Sequence, residues 1–312
     1  MDYRFKNGKN VFLILNYKTY WETLACVQSI FDTVGKETIY SKIHEIVIVD
    51  NGSNNESFEV LSKAYLNIPG IHIIQNRCNL GFAKGNNVGF TYAKYQLNAQ
   101  FITMINSDII LNDSSYIDKI ISCYDEVKFA VAGPNVVNAS GELLNPAKST
   151  IKDINDVNKT IKKLERRIKL CKYHLELPYI VWTKFLEIFL INIHKIIEKP
   201  DINHELRDML IDTEDSNVLH GCFLIFSDLY IEMFDGLYDA TFLYFEETLL
   251  RLRCNRYNLK MYYISGISAI HNESRTEKYI NNKLRERHLL RYVNSLNSLN
   301  VVKCYMMNKN EK

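Results

Sequence analysis

Residues 45–53 read Glu-Ile-Val-Ile-Val-Asp-Asn-Gly-Ser, a continuous apolar run that ends in turn-forming residues. Such a run predicts a strand that is buried on both faces and ends at Asp50. Similar runs occupy residues 11–15 and 101–105, and stretches with helical spacing, such as residues 81–95, lie between the runs. Alternating strands and helices predict an α/β fold with a mostly parallel central sheet flanked by helices.

Polar residues follow two of these strands at the edge where parallel α/β sheets bind ligands. Asp50 opens a turn, and Asn106-Ser107-Asp108 ends the run at 101–105. Each acid has two interpretations. Asp50 is either a turn residue or a hydrogen-bond acceptor for a nucleotide base or ribose. Asp108 is either a helix N-cap or an oxygen ligand for Mg²⁺ or Mn²⁺.

Residues 79–89 read Asn-Leu-Gly-Phe-Ala-Lys-Gly-Asn-Asn-Val-Gly. Gly81, Gly85 and Gly89 therefore form one bare stripe on the predicted helix. Glycine inside a helix costs about 1 kcal/mol relative to alanine, so the stripe indicates close approach to a strand or to a ligand. Free N–H groups at the helix start also suit a diphosphate. Neither the dinucleotide fingerprint nor the P-loop pattern is present.

The same patterns predict a strand over residues 218–226 and a terminal helix over about 277–296. Three further candidate site residues lie in the second half of the chain. Glu246 and Glu247 open a predicted helix that ends near residue 256, and His271 ends a predicted strand over 261–270. Acids in a first helical turn are favoured by the helix dipole, and a general base is the functional alternative. His271 is either a core histidine or a metal ligand.

Between residues 150 and 216 the alternation stops, which predicts a helical insertion. Residues 159–172 carry seven Lys or Arg against one acid, and residues 179–197 show apolar side chains at helical spacing. One interpretation is a solvated helix face followed by a core-facing helix. The other is a peripheral membrane contact, in which the basic residues meet anionic headgroups.

Composition excludes several classes of protein. The chain has 312 residues, 47% of them hydrophobic, and a formal charge of +2, which disfavours a nucleic-acid binder and a disordered chain. Seven scattered cysteines without a C-x-x-C pair predict reduced thiols. The N-terminus lacks a signal-peptide pattern, and the uncharged stretches reach only about a dozen residues, so we expect a cytoplasmic protein.

Seven motifs in a fixed order resemble the family 2 glycosyltransferases with a GT-A fold, in particular the bacterial rhamnosyltransferase-like branch. The similarity covers residues 10–145 and 217–295. The motifs lie at residues 15–17, 49–53, 79–89, 105–108, 221–225, 244–247 and 271–274.

The resemblance implies a nucleotide-sugar-binding half at 1–149, the insertion at 150–216, and an acceptor and catalytic half with a C-terminal helix at 217–312. It implies a metal-dependent, inverting hexosyl- or rhamnosyltransferase with a UDP- or dTDP-linked donor. The acceptor would be a glycan or a polyprenyl-diphosphate-linked glycan in the synthesis of bacterial surface polysaccharide, such as capsule or cell wall. The protein would then work at the inner face of the cell membrane.

The resemblance also assigns roles to residues. Glu247 would be the base, with Glu246 second. Asp108 and His271 would hold Mn²⁺ or Mg²⁺. The nucleotide-sugar contacts would be Asn16, Tyr17, Asp50, Asn79, Gly81, Lys84, Gly85, Asn86 and Ser107.

Two positions depart from the family pattern. Asn106 replaces the first Asp of the metal motif, and Glu replaces Asp at 247, which leaves Asp239 as another candidate base. An alternative with the same fold is a catalytically weak or inactive scaffold in a polysaccharide assembly complex. A dinucleotide-dependent oxidoreductase is disfavoured by the missing fingerprint.

Overall fold

The computed structural model describes residues 9–149, 151–175, 209–211, 217–272 and 284–308. The apolar helix predicted at 179–197 lies outside these residues, as does the predicted start of the terminal helix at 277–283. Among the described residues, no helix has the length and apolar character needed to cross a membrane.

The elements follow the predicted alternation in the first half of the chain. The strands are β1 (Lys9–Asn16), β2 (His44–Asp50), β3 (Ile71–Gln75), β4 (Ala99–Asn106), β5 (Ile109–Leu111), β6 (Val131–Asn138), β7 (Leu143–Asn145), β8 (Ala147–Lys148), β9 (Met209–Leu210), β10 (Asn217–Val218), β11 (Phe223–Ser227) and β12 (Met261–His271). The helices are α1 (Tyr20–Val34), α2 (Lys36–Tyr40), α3 (Ser57–Ala64), α4 (Phe82–Tyr95), α5 (Tyr116–Val127), α6 (Ile154–Lys172), α7 (Asp228–Ile231), α8 (Glu246–Arg256) and α9 (Leu284–Met307).

The central sheet has a parallel part and a mixed part. Strands β3, β2, β1 and β4 are parallel neighbours, as the apolar runs predict. Strand β11 then runs antiparallel to both β4 and β6, while β12 is parallel to β6 and antiparallel to the edge strand β5. The β4–β11 connection is long and is not a single crossover helix, so it does not impose parallel pairing.

Helices cover both faces of the sheet, and each face has its own apolar core. On one face, α1 and α5 pack residues such as Val27, Ile30 and Tyr116 against the strands. On the other face, α4, α7 and α8 contribute Phe90, Tyr230 and their neighbours. The predicted α/β architecture with a central sheet between helices is confirmed.

A third, smaller apolar cluster joins α6, α8 and α9. Val157 and Leu164 from α6 pack with Leu249 from α8 and with Val302 from α9. Because the apolar residues of α9 continue to Tyr305, the terminal helix runs past its predicted end near residue 296 to Met307. The basic side chains of α6 lie on its outer side, and most of them are exposed.

The strand predicted over residues 218–226 is two strands. Strand β10 pairs with β8 in a separate two-stranded sheet, and β11 enters the central sheet. The intervening residues 219–222 form a bend. Within it, Gly221 lies against the side chain of Glu247, and a Cβ there would come 2.7 Å from Oε1. Breaking the strand there places this bend at the carboxyl edge of the sheet.

Candidate active site

The carboxyl ends of β1, β2 and β4 bring polar residues together. In the sheet register Asn16 is paired with Asp50, and Leu15 with Asn106. The predicted meeting of these strand ends at one sheet edge is confirmed.

Asp50 and Asn16 lie beneath the cavity surface. Asp50 is fully buried, and its Oδ1 accepts a hydrogen bond from Asn16 Nδ2 at 2.7 Å while Oδ2 accepts one from the Ser53 N–H at 3.1 Å. Thr23 donates to Asn16 Oδ1 at 2.9 Å. Neither residue lines the cavities described below, so the structure supports an orienting function, and their contact with a nucleotide stays a prediction.

Asn51, which was not among the predicted site residues, connects the turn after β2 to the start of α4. Its Nδ2 donates to Asn79 Oδ1 and to the Gly81 carbonyl, both at 3.0 Å. Its Oδ1 accepts from Asn76 Nδ2 at 3.0 Å and from the Leu80 N–H at 3.1 Å. The only sequence signal for this role was its place in the turn after a buried strand.

The glycines of α4 allow the helix to approach the sheet and the site. A Cβ at Gly85 would lie 2.9 Å from both Asn51 Nδ2 and Leu15 Cδ1, and a Cβ at Gly89 would overlap Leu13 and Val49. Gly81, with φ +84°, lies against Phe242, whose carbonyl accepts the Phe82 N–H at 2.8 Å. The glycine stripe therefore allows α4 to pack closely against the sheet. One N–H group at the start of the helix, that of Phe82, is already hydrogen-bonded to the carbonyl of Phe242.

The first cavity has a volume of about 260 Å³ and lies at this edge. Five predicted residues line it, namely Tyr17, Asn79, Gly81, Ser107 and Asp108. Thr19, Asn51 and Phe242 line it without having been predicted.

Three other predicted contacts lie outside the lining of this cavity. Lys84 is exposed, while Gly85 and Asn86 are buried. Asn86 Nδ2 donates to the Phe82 carbonyl at 3.0 Å, so its side chain stabilises the first turn of α4.

Asp108 and His271 meet at the border of this cavity, although 163 positions separate them in the sequence. His271 Nε2 lies 3.1 Å from Asp108 Oδ1, and the Asn272 N–H donates to the Asp108 carbonyl at 2.9 Å. The pairing of β12 with β5 produces this contact, because His271 is opposite Ile109 in the register. The two predicted metal ligands are therefore neighbours.

Glu22 in the first turn of α1 adds a second carboxylate near Asp108. Burial, and then the negative charge of Asp108, raise the pKa of Glu22. Two buried polar atoms here, Glu22 Oε2 and His271 Nδ1, lack a hydrogen-bond partner in the described part of the chain. Carboxyl oxygens and an imidazole nitrogen are common ligands of divalent cations, so this group of side chains fits such an ion. The described residues contain no group of three or more such side chains arranged around one point, so a cation here would take further ligands from a bound molecule.

Glu246 and Glu247 begin α8 after two residues in the left-handed region, Tyr244 at φ 75° and Phe245 at φ 67°. This backbone turns the start of the helix into the site. Glu246 is buried and accepts a hydrogen bond from Thr241 Oγ1 at 3.0 Å. Burial, and then the charge of Glu247, raise the pKa of Glu246 to about 8.

A second cavity of about 430 Å³ holds both glutamates in its lining. It adjoins the first cavity, because the same four residues line both: Phe82, Asn106, Leu243 and Tyr244. Asn106, at the position where the family has Asp, therefore stands between them. Asp239, the other candidate base, is exposed and lines neither cavity.

His220 also lines the second cavity and was not predicted. Its Nδ1 accepts the Cys222 N–H at 3.2 Å, and its ring lies 6.2 Å from the ring of His271. Burial lowers the pKa of His220, against the opposing effect of Glu247. A neutral ring whose Nδ1 is an acceptor carries its proton on Nε2. The position of His220 depends on the bend at 219–222, which no sequence pattern indicated.

Residues 13–234, more than half of the chain, match the model of "Glycosyl transferase family 2". A relative from Haloferax volcanii, the low-salt glycan biosynthesis hexosyltransferase Agl10, is 23% identical over 240 residues, which cover 76% of this chain. The chain spans 62% of the length of that relative.

Two solved structures are similar to parts of this chain to different degrees. The crystal structure of GalNAc-T7 with UDP, GalNAc and Mn²⁺ has a TM-score of 0.53 at 9% identity, covering 85% of this chain and 44% of that one. The crystal structure of S. aureus TarS 1-349 has a TM-score of 0.49 at 12% identity, covering 96% and 71%. At 9% identity, the similarity to GalNAc-T7 shows a shared fold and nothing more.

Proposed function

The chain belongs to the family 2 glycosyltransferases and has the GT-A fold, and from this premise we propose that it is an inverting, metal-dependent sugar transferase. The donor is a UDP- or dTDP-linked sugar. The acceptor is a hydroxyl of a glycan or of a lipid-linked glycan in the synthesis of a bacterial surface polysaccharide.

One observation carries this proposal: two cavities adjoin, with Asp108 at one and Glu247 at the other. We assign the cavity of about 260 Å³, hereafter the donor cavity, to the nucleoside diphosphate sugar. We assign the cavity of about 430 Å³, hereafter the acceptor cavity, to the acceptor. Residues before 150 form most of the first lining and residues after 216 form most of the second, in keeping with halves at 1–149 and 217–312 around an insertion at 150–216.

The reaction is a single in-line displacement. Glu247 removes the proton of an acceptor hydroxyl, whose oxygen attacks the anomeric carbon from the side opposite the diphosphate, so the configuration inverts. Gly221 supports this role, because its N–H donates to Glu247 Oε1 at 3.2 Å and its missing side chain leaves space for the carboxylate. Burial and the charge of Glu247 raise the pKa of Glu246 to about 8, which favours its protonated form at neutral pH and leaves Glu247 as the base.

Asp108 and His271 would hold Mn²⁺ or Mg²⁺ together with donor phosphate oxygens. A bound cation supplies charge neutralisation for the departing diphosphate. The fit rests on His271 Nε2 and Asp108 Oδ1, which lie 3.1 Å apart, and on Glu22 Oε2 and His271 Nδ1, which have no hydrogen-bond partner within the described residues. Asn106 contributes a neutral amide where a carboxylate is usual, and Glu22 places a further carboxyl group close to Asp108.

A thermal-shift panel of nucleoside diphosphates and nucleotide sugars, with and without Mn²⁺, tests the donor assignment. A ligand at 100 times its Kd stabilises the native state by about 2.7 kcal/mol, so UDP or dTDP with Mn²⁺ should raise the Tm clearly. No shift with any member of the panel would contradict the proposal. Nucleotide binding without any sugar transfer or donor hydrolysis would favour the alternative of an inactive scaffold.

A peripheral contact with the inner face of the cell membrane completes the proposal. The exposed basic side chains of α6 support it, because such residues bind anionic headgroups. Sedimentation with liposomes that contain anionic lipid tests this contact. Equal recovery in the supernatant for the intact chain and for a variant lacking residues 150–215 would remove it.

A further inference from the structure

Two cationic side chains line the acceptor cavity, and among the described residues neither has a carboxylate partner. Lys148 comes from β8 and Arg291 from α9. Within the described residues, neither forms an ion pair at a distance of 4.0 Å or less. Unpaired cations in the lining of a cavity are a potential binding site for an anion.

An aromatic ring holds Arg291 at the cavity edge. Its guanidinium carbon lies 5.9 Å from the centroid of the Tyr244 ring. Contact with an aromatic face orients a guanidinium and leaves its N–H groups free for a ligand. The planar fork of these groups matches the oxygens of a phosphate, and Lys148 adds a second positive charge.

The positive surface continues beyond the cavity along α6. The Arg167 guanidinium lies 5.5 Å from the ring centroid of Tyr292, which is the neighbour of Arg291. This contact places α6 beside the same stretch of α9. The exposed basic residues of α6 are Lys159, Lys162, Lys163, Arg166, Lys169 and Lys172.

The two cations line the acceptor cavity and are absent from the lining of the donor cavity. Of the two glutamates in the lining, Glu246 does not offset the charge of these cations, because burial raises its pKa to about 8 and favours its neutral form. The lining of the acceptor cavity therefore carries two positive charges against one carboxylate, that of Glu247. An anion in this cavity would come with the acceptor.

We propose that the acceptor carries a phosphate group close to its reacting hydroxyl, and that Lys148 and Arg291 bind this phosphate. The inference rests on the proposed function, because it uses the assignment of the two cavities. The phosphate would belong either to a prenyl diphosphate carrier or to a phosphodiester-linked glycan. Both present the same oxygens to the two cations.

The test uses the full chain saturated with UDP and Mg²⁺, which fills the donor cavity. Phenyl phosphate is then titrated by calorimetry into the wild type, Lys148→Met, Arg291→Met and the double variant. Methionine keeps an unbranched side chain in place of the aliphatic part of lysine or arginine and removes the charge. Lys63→Met, which removes an exposed lysine of α3 in the other half of the molecule, is the matched control.

We expect the double variant to bind phenyl phosphate at least about tenfold more weakly than the wild type, with Lys63→Met unchanged. UDP affinity should be the same in all proteins, which also shows that the variants fold. Unchanged phenyl phosphate binding by the double variant would overturn the proposal. A parallel loss of UDP affinity would also overturn it, because the cations would then serve the donor.

Failure of the proposed function has a different signature. If the wild type does not bind UDP, the donor assignment fails, whereas phosphate binding that depends on Lys148 and Arg291 still supports the anion site. Parallel titrations with geranyl diphosphate and diethyl phosphate separate the two sources. Tighter binding of the diphosphate assigns a prenyl carrier, and tighter binding of the diester assigns a phosphodiester-linked glycan.

Discussion

Glu246 and Glu247 are adjacent in the sequence, yet their carboxyl groups differ in burial and in hydrogen-bond partner. Glu246 is buried and accepts a hydrogen bond from Thr241, whereas Glu247 is half-buried and accepts the Gly221 N–H. Burial and the neighbouring charge raise the pKa of Glu246 to about 8. In the proposed reaction this leaves Glu247 as the carboxylate that accepts a proton at neutral pH.

Replacement of Glu247 by Gln should lower turnover by about 100-fold or more, since general-base catalysis contributes a factor of that size. Nucleotide affinity should stay at the wild-type value, because Glu247 does not line the donor cavity. Steady-state kinetics and calorimetry with UDP measure the two quantities. Glu246→Gln is the matched control and should retain most of the turnover. Near-normal turnover of Glu247→Gln would assign the base to another residue.

The stability of the protein should depend on pH through Glu246. Its pKa is about 8 in the folded state, against an ordinary value of 4.5. Between these values the folded state holds a proton that the unfolded state releases, so the free energy of unfolding falls as the pH rises. Glu246→Gln lacks this titration and should lose less stability between about pH 5 and pH 8. Urea unfolding at both pH values measures the difference. Equal losses in the two proteins would contradict the pKa assignment.

The contact between α4 and the sheet predicts a steric effect at Gly89. Alanine usually stabilises a helix interior by about 1 kcal/mol relative to glycine, but here its Cβ would come 2.8 Å from Val49 and overlap Leu13. We expect Gly89→Ala to destabilise the protein by about 1–3 kcal/mol, measured by chemical denaturation. Thr91→Ala, on the exposed side of α4, should have a small effect. A stabilising Gly89→Ala would show that the helix does not contact the sheet so closely.

His220 should contribute to turnover as a hydrogen-bond donor. Its Nδ1 accepts the Cys222 N–H, so the neutral ring presents the Nε2–H at the acceptor cavity. We expect His220→Ala to lower kcat by about tenfold, the size of one neutral hydrogen bond. His220→Gln should recover part of this loss, because its amide reaches the position of Nε2. His220→Asn should behave like alanine, since its amide is shorter. Equal kinetics for all three variants would limit His220 to a structural role.

Sequence reasoning predicted the parallel half of the molecule well, because that half depends on local patterns. The apolar runs of β1, β2 and β4 are long enough to identify buried strands, and each ends in polar residues. The meeting of their ends follows from parallel pairing alone. The partnership of Asp108 with His271 was predicted only through the family resemblance.

The remaining features depend on contacts that no local pattern encodes. The hydrogen bonds from Asn16 and the Ser53 N–H to the buried Asp50 carboxylate could not be read from the sequence, and its contact with a nucleotide stays a prediction. His220 and Phe242 reach the site from loops whose paths depend on the antiparallel strand β11 and on the left-handed turn at Tyr244. The basic segment of α6 could be recognised in the sequence, whereas its packing against α9 could not.

The most direct measurement is the anomalous scattering of Mn²⁺ in crystals of the protein grown or soaked with MnCl₂ and UDP. Our account predicts one strong peak within coordination distance of Asp108 and His271, with electron density for the diphosphate beside it in the donor cavity. The peak should disappear in Asp108→Asn. A manganese peak away from both residues, or UDP bound outside the donor cavity, would contradict the account.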